Sequence, residues 1–255
     1  MDLMTILGLA MGLGAVYIVM LHGQVVNLLF NLDAAILVFG GTLGSTFIAF
    51  PFRSIKQLPN ALKLIFFPPP KIDFALLTEE LIEIAGLVRK GGVFALHGYK
   101  SKTSNKFLEK YIEKVANGIE KEIILDGMKQ EIFAIAQRHE RVSGIFQAMA
   151  TFSPIFGLLG TLIGVVQVLR NLTDPQSMGA SMAIAVTTTF YGIFGANFLF
   201  LPASLKLDEY SSEEILAKEL ITEGIESVLN NEVPSVTAHR LEAFLSKKVK
   251  ETQKK

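Results

Sequence analysis

The chain has 255 residues, half of them apolar, and its 24 basic residues balance 24 acidic ones, with a mean hydropathy of +0.42. The lack of cysteine excludes a disulfide framework or a thiolate metal site, and four histidines scattered at 22, 97, 139 and 239 leave a zinc cluster and catalytic metal chemistry little to work with. Zero net charge without a concentrated basic and aromatic surface argues against nucleic acid, while charge confined to two blocks points to a membrane protein with soluble parts.

Leu3 to Leu21 is apolar apart from Thr5 and Tyr17 and reads as a first span, with a Gly8-x-x-x-Gly12 spacing that suits close helix packing. No basic stretch precedes it and no convincing small-residue cleavage site follows, so the reading keeps this helix in the mature protein. A tight bend follows. Ala34 to Phe50 is a second span, closed by Pro51, and both helices are expected to face lipid and their neighbours. Orientation comes from Lys and Arg: 15 lie between Pro51 and Gly144 and 8 after Ala203, whereas the link before the second span has none and the link before the fourth has only Arg170. The positive-inside rule then places the middle segment, the tail and both termini in the cytoplasm.

In the middle segment, Phe52 to Phe67 is an amphipathic stretch suited to the inner membrane surface, and Pro68, Pro69 and Pro70 stop any helix. Ala75 to Arg89 carries Leu77, Leu81, Ile84, Ala85 and Val88 at helical spacing; Gly91 and Gly92 end it, and Lys100 to Lys106 forms a loop. Phe107 to Arg141 resumes helix in two pieces, broken near Gly118 or Gly127. The tail helix Glu213 to Leu229 has an apolar stripe of Leu216, Leu220, Ile221, Ile225, Val228 and Leu229, read first as core or subunit packing. No strand pattern is present. The expected fold is an all-α integral membrane protein with four transmembrane helices and a helical cytoplasmic domain built from the 2-3 loop and the C-terminal tail. Its divisions are 1–51 (spans 1 and 2), 52–144 (cytoplasmic), 145–203 (spans 3 and 4) and 204–255 (C-terminal helices).

Spans 3 and 4, Ile145 to Leu169 and Ala180 to Ala203, form a hairpin without a charged residue. They carry Ser153, Pro154 and Thr161 on one helix and Thr187, Thr188, Thr189, Tyr191 and Asn197 on the other. Hydrocarbon tolerates such groups only where a neighbouring helix, a water or an ion satisfies them. Thr161 and Thr188 each lie eight residues from an outer end, about 12 Å deep at 1.5 Å per residue. Hydroxyls at one level suit a hydrated cation path with weak oxygen ligands; they equally suit helix-to-helix bonding or bonding back to the backbone four residues earlier. No Asp, Glu, Lys, Arg or His lies inside any span. A titrating carboxylate for ion transport must therefore come from a partner chain with its own transmembrane helix.

The run from Ser153 to Glu214 resembles the MotA/PomA family, the A-subunits of the bacterial flagellar stator. The resemblance rests on Pro154, Gly157-x-x-Gly160-Thr161-x-x-Gly164, Asn171-Leu172-x-Asp174-Pro175, Thr188-Thr189-x-Tyr191-Gly192 and Leu201-Pro202. Met1-Asp2 before a glycine-rich helix, the stretch from Val38 to Pro51, Arg89-Lys90-x-Gly92 and Arg138-His139-Glu140 agree as well. The resemblance implies a multi-pass protein of the bacterial inner membrane, in which five A-subunits surround a MotB/PomB-like B-subunit dimer whose intramembrane Asp carries Na+ or H+. By position, Thr161, Thr188, Thr189, Pro154 and Tyr191 fall on the ion path, Pro154 and Pro202 match the functional prolines, and Arg89 with Lys90 matches the face that engages the rotor protein FliG. His97, followed by Gly98, stands where the family usually has Glu, so this rotor contact departs from the usual charge pair.

No tightly bound cofactor and no bond-making enzyme activity are implied; the gradient supplies the work, about 2.3 kcal/mol per charge per 100 mV. Adjacent threonines favour sodium, yet threonine also bonds within helices, so the coupling ion stays open between Na+ and H+. The alternatives are an ExbB/TolQ-like energiser of outer-membrane processes, whose members usually have three spans, and a non-conducting membrane scaffold.

Overall fold

The computed structural model describes residues 3–24, 26–99, 101–102, 105–170 and 172–245. Met1-Asp2, Asn171 and parts of the Lys100 to Lys106 loop lie outside them. Four helical stretches are long and apolar enough to cross a membrane: Leu3–His22, Leu32–Ala49, and windows within Lys121–Arg170 and Ser177–Leu229. Among the described residues there is no strand. The chain folds as two compact units, residues 1–69 with 139–209, and residues 70–138 with 210–255.

The first unit begins with α1 (Leu3–His22), which has no buried residue, as expected of an apolar helix that meets a membrane on most of its surface. Two short helices, α2 (Val26–Leu29) and α3 (Leu32–Ala35), lead into a wide π segment, Ile36–Gly40, and then α4 (Gly41–Ala49). Asn31 starts this second span by accepting a hydrogen bond from the Ala34 N–H at 3.0 Å. Thr42 and Thr46 are fully buried and donate to the carbonyls of Val38 (2.6 Å) and Thr42 (2.7 Å), which satisfies both hydroxyls without a partner helix. Past Pro51 come α5 (Phe52–Ile55) and the amphipathic α6 (Leu58–Phe66). Ala61 and Ile65 of α6 pack with Ile145, Phe146, Met149 and Ala203 in a small apolar core.

The second unit contains α7 (Phe74–Gly91), α8 (Lys106–Ala116), residues 121–138 of α9 (Lys121–Arg170), residues 210–229 of α11 (Leu201–Leu229) and α12 (Pro234–Leu241). Asp73 caps α7 by accepting from Ala75 and Leu76 N–H at 3.0 Å each, and Asn105 caps α8 in the same manner. The α7 stripe read from sequence, Leu77, Leu81, Ile84, Ala85 and Val88, is buried in full. It meets Leu108, Tyr111 and Ile112 of α8, Ile124 and Met128 of α9, and Leu220, Ile221 and Ile225 of α11. Leu216, expected on the tail stripe, is instead 40% exposed.

Helix ends differ from the sequence reading in three places. The break between α8 and α9 falls at Gly118, whose φ of +69° suits glycine, whereas Gly127 continues the helix. Residues 121–144 join the third span in one 50-residue helix, because no proline interrupts them and their two glycines, Gly127 and Gly144, are tolerated. The fourth span and the tail helix are likewise continuous beyond the π segment Gly195–Phe200, through Pro202 to Leu229.

Candidate functional site

The candidate site is the crossing of α9 with α10 (Pro175–Phe194), and glycine places it. A methyl at Gly157 would lie 2.9 Å from the Thr188 carbonyl oxygen, one at Gly164 2.9 Å from the Ser181 carbonyl oxygen, and one at Gly192 2.8 Å from the Ser153 carbonyl oxygen. Backbones meet backbones here, as small residues permit in hydrocarbon. Gly160 makes room for the Thr188 side chain, against which any Cβ would collide.

The hydroxyls sort themselves around this contact. Thr161 and Thr189 share a hydrogen bond across the hairpin. Thr161 also donates toward the carbonyls of Gly157 (3.2 Å) and Ala185 (3.3 Å), and Thr189 approaches the same Ala185 carbonyl at 3.3 Å. The result is a cluster of four oxygens from two helices, with Thr161 and Thr189 only half-buried. Thr188 is fully buried and donates to the Ala185 carbonyl at 2.9 Å. Depth counting puts Thr161 level with Thr188; the hydroxyl that Thr161 meets belongs to Thr189, because Thr188 is turned onto Gly160. Thr187 is also buried.

Ser153, fully buried beside Pro154, donates across the hairpin to the Gly192 carbonyl at 3.0 Å. Pro154 has no N–H to offer the carbonyl of Ala150 four residues back, so the helix is weakened where the two backbones touch. Tyr191 lies on another face. Its hydroxyl donates to the Leu29 carbonyl at 2.5 Å and accepts from the Asn31 N–H at 3.4 Å, and its ring lies 6.1 Å from that of Phe39. It straps the fourth span to the link before the second.

Pro202 follows the π segment Gly195–Phe200, whose last hydrogen bond runs from the Leu201 N–H to the Ala196 carbonyl. A wide turn leaves carbonyls out of α register, and a proline next in line removes the donor that would otherwise compete for them. The π segment of the second span touches this one: a methyl at Gly195 would stand 3.1 Å from the Phe39 ring.

Arg89, Lys90 and His97 belong to the second unit and are all exposed. The first two close α7, favourable for cations at a helix carboxyl end. Gly92, with φ +72°, turns the chain into a short helical turn, Val93–Leu96, and the His97 ring stacks on exposed Phe94 at 5.9 Å. Gly195 and the Ala185 carbonyl are the site groups that the sequence reading does not single out, whereas Ser153 and Gly192 are named in it. The small residues at 181, 185 and 192, at helical spacing, are the one signal that could have located their face. No group of three acids or histidines able to hold a metal occurs among the described residues.

The model of the MotA/TolQ/ExbB proton channel family matches residues 100–220. Motility protein A of Cereibacter sphaeroides is 31% identical over 97% of this chain and 97% of its own. Chemotaxis protein PomA of Vibrio alginolyticus is 30% identical over 96% of each. Among solved structures, a chain of the flagellar MotAB stator complex from Bacillus subtilis matches with a TM-score of 0.89 at 28% identity, covering 98% of both chains. With four spans, a small-residue hairpin and full-length relatives among motility A proteins, the chain belongs to the MotA/TolQ/ExbB proton channel family.

Proposed function

We propose that this chain is the A-type subunit of a flagellar stator, coupling the flow of Na+ or H+ through the bacterial inner membrane to torque on the rotor. The observation that carries the proposal is the oxygen cluster of Thr161, Thr189 and the Ala185 carbonyl at the α9–α10 crossing, in spans that hold no acid or base. Weak neutral oxygens can replace part of an ion's hydration shell, but they do not bind and release a proton at neutral pH. The carboxylate must come from a B-type partner helix, and five copies of this chain around a B-type dimer would present five such clusters to it. Loading and unloading that carboxylate changes its fit to the surrounding subunits and steps them past it. Arg89, Lys90 and the Phe94–His97 stack form the surface offered to a FliG-type rotor protein, with both termini on the same, cytoplasmic side.

A scaffold reading has one observation in its favour: Thr161, Thr188 and Thr189 each approach a backbone carbonyl. Motility separates the two. A stator-deleted bacterium carrying this chain and its cognate B-subunit should swim, and Thr161→Val, which keeps shape but loses the hydroxyl, should reduce speed severalfold while both subunits still assemble. Replacing sodium by potassium at constant pH identifies the ion: arrest means sodium, and unchanged speed means protons. Normal speed in Thr161→Val returns the hydroxyls to helix packing.

A further inference from the structure

Thr42, Thr46, Thr151, Ser181 and Thr188 bond back along their own helices, each hydroxyl donating to a carbonyl three or four residues earlier, the usual way a hydroxyl is satisfied inside a helix. Two serines of the first unit do otherwise. Ser153 donates across the hairpin to the Gly192 carbonyl at 3.0 Å, and Ser204 donates in the opposite direction, from α11 to the Ser143 carbonyl of α9, at 3.1 Å. Both serines are buried, so water does not compete for either bond.

Their places along the chain correspond. Ser153 stands immediately before Pro154 and Ser204 two residues after Pro202, and each proline withholds the N–H that an α turn would give to the carbonyl four residues back, of Ala150 and of Phe198. Each weak place in a helix thus has a bond to the other helix beside it. Between the two bonds lies the wide segment Gly195–Phe200, bracketed at Gly192 and at Ser204. The first bond reaches its edge: a methyl at Gly195 would stand 2.9 Å from the Ser153 hydroxyl oxygen and 3.1 Å from the ring of Phe39, which belongs to the π segment of the second span. The fourth span is therefore tied to the third on both sides of the stretch where its own hydrogen bonding leaves the α register, the kind of turn that recurs where helices serve a function.

We propose that Ser153 and Ser204 are positioning residues for torque: together they clamp the fourth span to the third, so that the change of shape that follows loading of the partner carboxylate is confined to Gly195–Phe200 and passed on to α11. The role in torque rests on the stator reading; the clamp itself does not. Hydrogen–deuterium exchange of the full chain in detergent tests the clamp. Alanine is well tolerated in a helix, and Ser153→Ala or Ser204→Ala should speed exchange of the amides of 196–201 about fivefold, which is what losing one net hydrogen bond amounts to, with those of 157–164 unchanged. No change at 196–201 overturns the clamp, and so does an equal rise at 157–164, which would make the serines general helix glue. Swimming of a stator-deleted bacterium carrying the chain and its cognate B-subunit tests the role. Each variant should lower top speed severalfold while the sodium concentration or pH at half-maximal speed stays where it is, and Ser153→Cys, with a weaker donor, should fall between. Full top speed in both alanine variants overturns the role, and so does a shifted half-maximal point, which belongs to a group on the ion path. Failure of the natural chain to support swimming counts against the stator reading alone, and the exchange result still decides the clamp.

Discussion

At Glu131, burial and hydrogen bonding pull in opposite directions. Burial alone would raise its pKa, but hydrogen bonds from Lys110 (2.6 Å) and from the buried Tyr111 hydroxyl (2.9 Å), with the charges of Lys110 and Lys114, outweigh it and hold the carboxyl below the ordinary glutamate range. Tyr111 is shifted upward, first by its own burial and then by donating to Glu131. Because the folded pKa of Glu131 is the lower one, its stabilisation is full above the unfolded value near 4.3 and is lost as pH falls through the folded value. Glu131→Gln should therefore melt below the unaltered chain at pH 7, by on the order of 1 kcal/mol for a half-exposed charged contact, and the two melting curves should draw together as pH falls below the unfolded value. A gap that does not narrow there would assign the loss to packing. The sequence shows an acid on a helix here and nothing more, since its partners lie some 20 residues away on α8. The same limit applies to Tyr191, an aromatic at membrane depth in the sequence, whose hydroxyl is occupied by Leu29 and Asn31 more than 150 residues earlier.

The elements follow the sequence most closely where punctuation is strong. Asp73 and Asn105 start helices, Gly118 breaks one, and Pro51 closes a span. The two π segments carry no such mark: Ile36–Gly40 and Gly195–Phe200 read as ordinary apolar helix, because the extra residue of a wide turn changes hydrogen-bond register without needing a special residue type. The hairpin contact was legible in its glycines but not in its register, which depends on which threonine Gly160 admits. That contact is tested by contrast. Gly164→Val would press a branched side chain onto Ala185 and the Ser181 carbonyl and should cost about 1–3 kcal/mol, read as a lowered melting temperature of the full chain in detergent. Gly44→Ala, with nothing within 4 Å, should melt within experimental error of the unaltered chain or above it. Equal effects of the two changes would mean that helix propensity, not the crossing, sets stability.

For the molecule as a whole, membrane spans were the most legible feature, since a bilayer demands length and apolarity that few other environments require. The division into two units was legible at Pro68 to Pro70, where the chain first passes from one to the other, but not at the two later crossings, which lie inside α9 and α11. Sidedness, argued from basic residues, has a direct check that the cysteine-free chain makes clean. A cysteine at exposed Leu172, in the link between α9 and α10, should react with a membrane-impermeant maleimide in intact spheroplasts. One at exposed Lys129 should react only after permeabilisation; the reverse pattern would invert the topology. The π segment before Pro202 has a further consequence, for chain length itself. A helix one residue too long for its turns holds a spare, so deleting a single residue between 195 and 200 can close the wide turn while everything beyond keeps its angular position. The same deletion between 181 and 192 would swing all later residues by about 100° and draw them in by about 1.5 Å, and misalign the crossing. Insertions and deletions in this protein thus have one forgiving place in the fourth span, and it lies against Phe39 of the second.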